Sequence, residues 1–129
     1  MNKLQLLLKC TGMVLKSGVC PDTKASDWPK LIMFAHSKGY LYVSKDADTF
    51  VCAYRIPADE DVYKNEMPVE ESGDLLYVAW AVSESNSRTN LLKMLKQYRK
   101  ENNVKEIIYY KRNSNTNLKR ITFKELVHE

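Results

Sequence analysis

The chain has 129 residues and a mass of 15.0 kDa, enough for one domain and too little for two of ordinary size, so residues 1–129 are read as a single unit. With 44% hydrophobic and 28% charged residues, four Gly and four Pro, the composition excludes a disordered, collagen-like or loop-dominated chain. A net charge of +4 is mildly basic and far from that of a histone-like tail.

Residues 3–17 place Leu4, Leu7, Leu8, Thr11, Val14 and Leu15 at helical spacing, with Lys3, Lys9 and Lys16 off that stripe, and Gly18 stops the helix. A second helix is expected to start near Ser26 or Asp27, either of which can cap it, with Pro29 tolerated in the first turn. It carries Leu31, Ile32, Phe34 and Ala35 and ends at Lys38-Gly39. Tyr40–Ser44 and Thr49–Ile56 are β-branched and aromatic runs across a polar turn, Lys45–Asp48, which predicts an antiparallel hairpin closed by Pro57. Residues 58–73 are acidic, contain Pro68 and Gly73, and predict a loop.

Leu75–Val82, LLYVAWAV, is apolar on both faces, the pattern of a central strand covered on each side. A polar hinge, residues 83–87, precedes the clearest helix, Thr89–Asn103. Leu91, Leu92, Leu95 and Tyr98 face inward there, and Lys93, Lys96, Arg99 and Lys100 outward. A strand follows in Lys105–Lys111, then a turn in Asn113–Asn117 and a last strand in Leu118–Phe123. The order α-α-β-β-β-α-β-β predicts an α/β domain with a central mixed sheet. Its strand–helix–strand unit over residues 75–110 requires a parallel pair, and the preceding hairpin an antiparallel one.

Several chemistries are excluded on spacing. Three cysteines, Cys10, Cys20 and Cys52, form no CxxC pair, and neither His36 nor His128 lies at ligand spacing from them. A disulfide framework, a zinc site and any resident metal are therefore not expected. No nucleophile-elbow motif occurs. Lys9 and Lys16 interrupt the apolar N-terminal run, and no stretch approaches a membrane span, so the expectation is a cytoplasmic protein without a leader or membrane contact.

One junction carries chemistry. After Val82 a buried strand ends in small polar residues and a helix begins, so its free N–H groups and positive dipole end can receive an anion. Trp80, Val82, Ser83, Ser87, Arg88, Thr89 and Asn90 line this candidate notch, small side chains admitting the anion and Arg88 adding charge. The same junction also fits an ordinary turn capped by Ser87 or Thr89.

Element order and the segments DLLYVAWAV and SRTNLLKMLKQYRKENNVKEIIYYKR resemble the GNAT-type N-acetyltransferase family over roughly residues 3–123. The resemblance implies that the strand 75–82 pairs with the pantetheine arm of acetyl-CoA or another acyl-CoA and that the following loop wraps its pyrophosphate. It also implies an amine as acceptor, which attacks the thioester directly. The family's (Q/R)xxGx(G/A) loop motif has neither glycine here, and Glu84 stands near where an Arg or Gln would help. The helix that usually bears a thiolate-protonating tyrosine is also absent, leaving Tyr109 or Tyr110. Glu84, Asp74 and His36 are available as bases, and no catalytic residue is assigned.

Two alternatives stand beside an acyltransferase. One is a non-catalytic binding or structural module of the same fold, of the sort a phage or mobile element carries. The other is a basic nucleic-acid-binding module. Residues 45–74 hold three basic and nine acidic residues, whereas residues 91–129 hold ten basic and four acidic ones. Lys93, Lys96, Arg99 and Lys100, with Lys111, Arg112, Lys119 and Arg120 and the interleaved Tyr109 and Tyr110, make nucleic acid a partner to weigh. It is not the favoured one, because such helices commonly carry a solvated cationic face.

Overall fold

The computed structural model describes residues 1–20, 22–57, 67–84, 88–102, 104–110 and 118–122. Among these residues three α-helices, α1 (Lys3–Ser17), α2 (Trp28–Lys38) and α3 (Arg88–Glu101), accompany five strands. These are β1 (Leu41–Val43), β2 (Thr49–Ile56), β3 (Leu75–Ser83), β4 (Glu106–Tyr110) and β5 (Leu118–Thr122). They form one mixed sheet in the order β1-β2-β3-β4-β5, in which β3 and β4 are parallel and the other pairs antiparallel. The fold is therefore mixed α/β with the expected hairpin and parallel pair.

Alternation along the strands assigns the two faces. Phe50, Cys52, Tyr54 and Ile56 of β2 join the core beneath α1 and α2, whereas Val51 and Ala53 join the core beneath α3. Ile108 and Ile107 of β4 divide in the same way. Both faces of β3 are covered, as its composition requires.

The helix ends follow local chemistry, with two departures from expectation. Asn2 and Gln5 form a reciprocal capping box at the start of α1, and Gly18 ends it in the left-handed conformation at φ 74. Yet the buried stripe of α1 is Leu7, Cys10 and Val14, while Leu4, Leu8 and Leu15 are 66%, 63% and 48% exposed. The two stripes lie side by side on the helix, and contact with the sheet selects one. Asp27 holds the N-cap position of α2, as expected, but makes no side-chain capping bond. A single 3₁₀ turn, Ala25–Asp27, leads directly into the helix.

Gly73 is a position only glycine fits. Its φ is +82, and a Cβ there would collide with the Ile56 carbonyl and with Pro57. This close crossing at the end of β2 brings Glu71 beside Arg55, whose backbone N–H it accepts at 2.9 Å.

Candidate functional site

The candidate notch begins on β3, and its geometry depends on an irregularity. Cys52 and Ala53 of β2 face Trp80 and Val78, leaving Ala79 as an extra, bulged residue. A bulge changes which face the following residues take. Tyr77 and Ala79 lie on the α1–α2 side, and so do Trp80 and Val82, while Leu76, Val78 and Ala81 lie on the α3 side. Trp80 thus reaches Trp28 edge-to-face, with centroids 5.6 Å apart. In regular alternation it would have faced α3.

The parallel ladder between β3 and β4 runs from Leu75↔Glu106 to Val78↔Tyr109. The ladder with β4 stops at Val78, and β3 continues past it through residues 79–83. The Ala79 carbonyl within this stretch accepts a long contact from the Cys20 thiol, 3.7 Å.

At the far end of β3 the structure brings some of the predicted residues together and supplies one that sequence reasoning missed. Asp48, expected only as a turn residue, is the centre of a hydrogen-bond cluster. Its Oδ1 lies 2.9 Å from Ser44 Oγ and accepts from Thr49 Oγ1 and Asn90 Nδ2, both at 2.9 Å. Its backbone carbonyl accepts the Glu84 N–H. The Ser83 hydroxyl lies 3.0 Å from that of buried Thr49. Hydrogen bonds, the one from Ser44 foremost and then that from Thr49, hold the Asp48 carboxyl below the ordinary aspartate range. Asn90, in the first turn of α3, is thereby linked to an internal carboxylate. Asp48 is tied to the first turn of α3 through that side-chain amide. The sequence signal was present as Ser44 four residues ahead of an Asp-Thr pair, a pattern that lets one hydroxyl accept the N–H groups of Asp48 and Thr49.

The other predicted positions are placed as follows. Trp80 and Val82 are buried under α1 and α2 and belong to the core. They contribute backbone to the notch and direct their side chains away into packing. Thr89 lies inside the first turn of α3, because the helix starts at Arg88, one residue earlier than expected. Ser87 and the Arg88 side chain lie outside the described residues. Glu84 is ion-paired with Lys9 of α1 at 3.0 Å and half-exposed, and Asp74 pairs with Lys105 at 3.2 Å. His36 sits in the last turn of α2, half-buried, remote in the fold from the end of β3.

Tyr109 packs partly buried against the α3-side core. Lys93, Lys96, Arg99 and Lys100 are exposed on the outer face of α3. The Tyr110 side chain, the turn at 113–117, Lys111, Arg112 and Phe123 fall outside the described residues.

The thiols are desolvated. Burial pushes Cys10 up to about 12 and Cys52 higher still, and burial with nearby Asp22 raises Cys20. All three are free, and such thiols are poor nucleophiles. Among the described residues no group of three or more His, Cys, Asp or Glu is placed to hold a metal ion, and no helix is long and apolar enough to cross a membrane. No protein-family model, curated protein or solved structure matches the chain.

Proposed function

We propose that the protein is an acyl-CoA-dependent N-acyltransferase of GNAT-like architecture that acts on an amine. The observation that carries this reading is the end of β3: from the bulged Ala79 to Val82 the strand runs past the β4 ladder, an edge along which an extended thioester arm could pair. The start of α3, at Arg88, would offer its positive end to the coenzyme's phosphates.

In this reading the amine attacks the thioester carbonyl as the free base. A C–N bond forms and the C–S bond breaks, and the proton lost from the amine balances the one taken up by the departing thiolate. Backbone N–H groups along 79–83 stabilise the carbonyl oxygen as charge develops on it. Free amine comes from the solution equilibrium.

A second reading is a non-catalytic module of the same fold, and one observation favours it. The Asp48 carboxylate already sits at the first turn of α3 and opposes a second negative charge there. Titration calorimetry with acetyl-CoA, followed by an assay for free thiol release with polyamine and peptide amines, separates the two. Saturable binding with thiol release supports the transferase, and binding without release supports the non-catalytic module. Absence of heat and of any melting-temperature shift at millimolar acetyl-CoA removes the coenzyme from both.

A further inference from the structure

The exposed stripe of α1 has a spacing of its own. Leu4, Leu8, Thr11 and Leu15 follow one another at intervals of four, three and four residues, the repeat by which one helix packs along another. The three leucines face solvent, and Thr11, half-buried, donates its hydroxyl to the Leu7 carbonyl at 2.8 Å.

Gly12 is a second, independent feature. Glycine weakens a helix interior, and no contact among the described residues calls for it here. Gly12 keeps ordinary helical backbone, unlike Gly18, Gly39 and Gly73 with their positive φ, and a Cβ on it would meet nothing within 4 Å. It is exposed, four residues beyond Leu8 and three before Leu15. Leu8, Thr11, Gly12 and Leu15 are therefore the four corners of a hole of the kind that receives one side chain of a neighbouring helix. Two of the corners are small, so the hole is deep and fits a large apolar knob.

Charge decides what carries the knob. Residues 1–40 hold six lysines against two aspartates, Asp22 and Asp27, and both of these lie between the two helices. Neither α1 nor α2 contains a carboxylate. Glu84 adds one from the end of β3, paired with Lys9 at 3.0 Å. Lys3 and Lys16 are exposed and make no ion pair among the described residues, and Lys16 stands one turn beyond Gly12. A second copy of α1 would bring lysines against lysines. A lipid surface would answer the charge but seats no knob, and so gives Gly12 no role.

We infer that α1 docks an amphipathic helix of a partner protein along its exposed stripe, with a large apolar side chain of that helix in the hole at Gly12 and acidic residues beside Lys3 and Lys16. The geometry sets the length. Lys3 and Lys16 are separated by about 20 Å along the helix axis, so the partner helix needs about four turns to reach both.

The probes are fluorescein-labelled peptides of three heptads, with leucine at the apolar positions and glutamate at the flanking ones, read by fluorescence anisotropy against the full chain. One carries phenylalanine at its central apolar position and a second carries alanine there. A third keeps the phenylalanine and has lysine in place of every glutamate. The first is expected to bind at least about tenfold more tightly than either of the others. Gly12→Gln fills the hole with a polar, helix-favouring side chain in open space. It should leave the urea midpoint of the free protein level or raised, and should reduce binding of the phenylalanine peptide to that of the alanine peptide. Lys16→Glu should narrow the preference for glutamate over lysine flanks by about threefold or more.

Equal binding of the phenylalanine and alanine peptides, equal binding of the glutamate and lysine peptides, or no binding at millimolar protein overturns the inference. An undiminished phenylalanine preference in Gly12→Gln does the same, and a lowered urea midpoint there would show that the fold itself needs the glycine. Binding to phosphatidylserine vesicles that Leu8→Ser abolishes assigns the stripe to a lipid surface. A dimer in light scattering that Leu8→Ser converts to a monomer assigns it to a second copy. Each of these results also overturns the inference.

Discussion

Beneath α1 and α2 the sheet meets the helices through apolar and aromatic contacts: Trp28 against Trp80, Tyr54 between Tyr40 and Tyr77, and Ile32, Phe50 and Cys10 fully buried. Beneath α3 the core is smaller and a polar thread runs through it. Glu71 accepts from the Arg55 N–H at 2.9 Å and from the Tyr98 hydroxyl at 3.1 Å, and Arg55 Nε lies 3.5 Å from the same oxygen. That Nε is buried with no hydrogen bond of its own. Non-directional burial dominates stability, whereas a polar network fixes one arrangement and is costly when half-broken. The first face therefore holds the fold, and the second holds the position of α3, whose first turn meets Asp48.

Substitutions should separate the faces by size of effect. Trp80→Ala removes a buried indole and its partner contact and should cost about 3–5 kcal/mol in urea denaturation. A loss under about 1 kcal/mol would place the weight of the fold elsewhere. Gly73→Ala should cost about 2–3 kcal/mol, because it forces a Cβ into the Ile56–Pro57 backbone in a left-handed conformation and displaces the segment bearing Glu71.

Glu71→Gln, on the polar face, should cost about 1–2 kcal/mol. It should also lower the Tyr42 hydroxyl from its value of about 12, which burial raises first and the Glu71 charge second. Absorbance titration of the tyrosines reads that shift directly, and an unmoved Tyr42 would sever it from Glu71.

Alkaline unfolding tests both faces at once. Tyr42 and Cys10 are each raised to about 12 by burial, so the folded protein holds these protons more tightly than the unfolded chain. Their contribution is complete below the unfolded values of about 8.5 for Cys and 10 for Tyr, and is lost as pH climbs toward 12. Denaturation midpoints that stay level from pH 9 to 12 would contradict it. The smallest effect belongs to Leu8→Ser, within about 0.5 kcal/mol, because Leu8 faces solvent and not the core its spacing suggested.

Much of the architecture was legible because periodicity carries it. The β-branched and aromatic run Thr49–Ile56, the doubly apolar LLYVAWAV and the inward Leu95 and Tyr98 of α3 all follow from burial, which acts on every residue of an element. Three features were not legible, each set by a contact distant in sequence. The choice between the two leucine-bearing stripes of α1 depends on what α1 packs against. The bulge at Ala79 has no glycine or proline to mark it, only the odd spacing of Tyr77 and Trp80. Asp48 reaches Asn90 across 42 residues, a pairing no local pattern announces. The candidate site was legible as a strand-to-helix junction, while the carboxylate that Asn90 binds there was not.

The most direct test follows backbone amide resonances of ¹⁵N-labelled protein as acetyl-CoA is added. Saturable shifts are expected at Ala79–Ser83 and in the first turn of α3, with Leu41–Val43 unmoved. Unchanged spectra at millimolar acetyl-CoA, or shifts confined to residues away from the end of β3, would contradict the assignment of that strand as the coenzyme's binding edge.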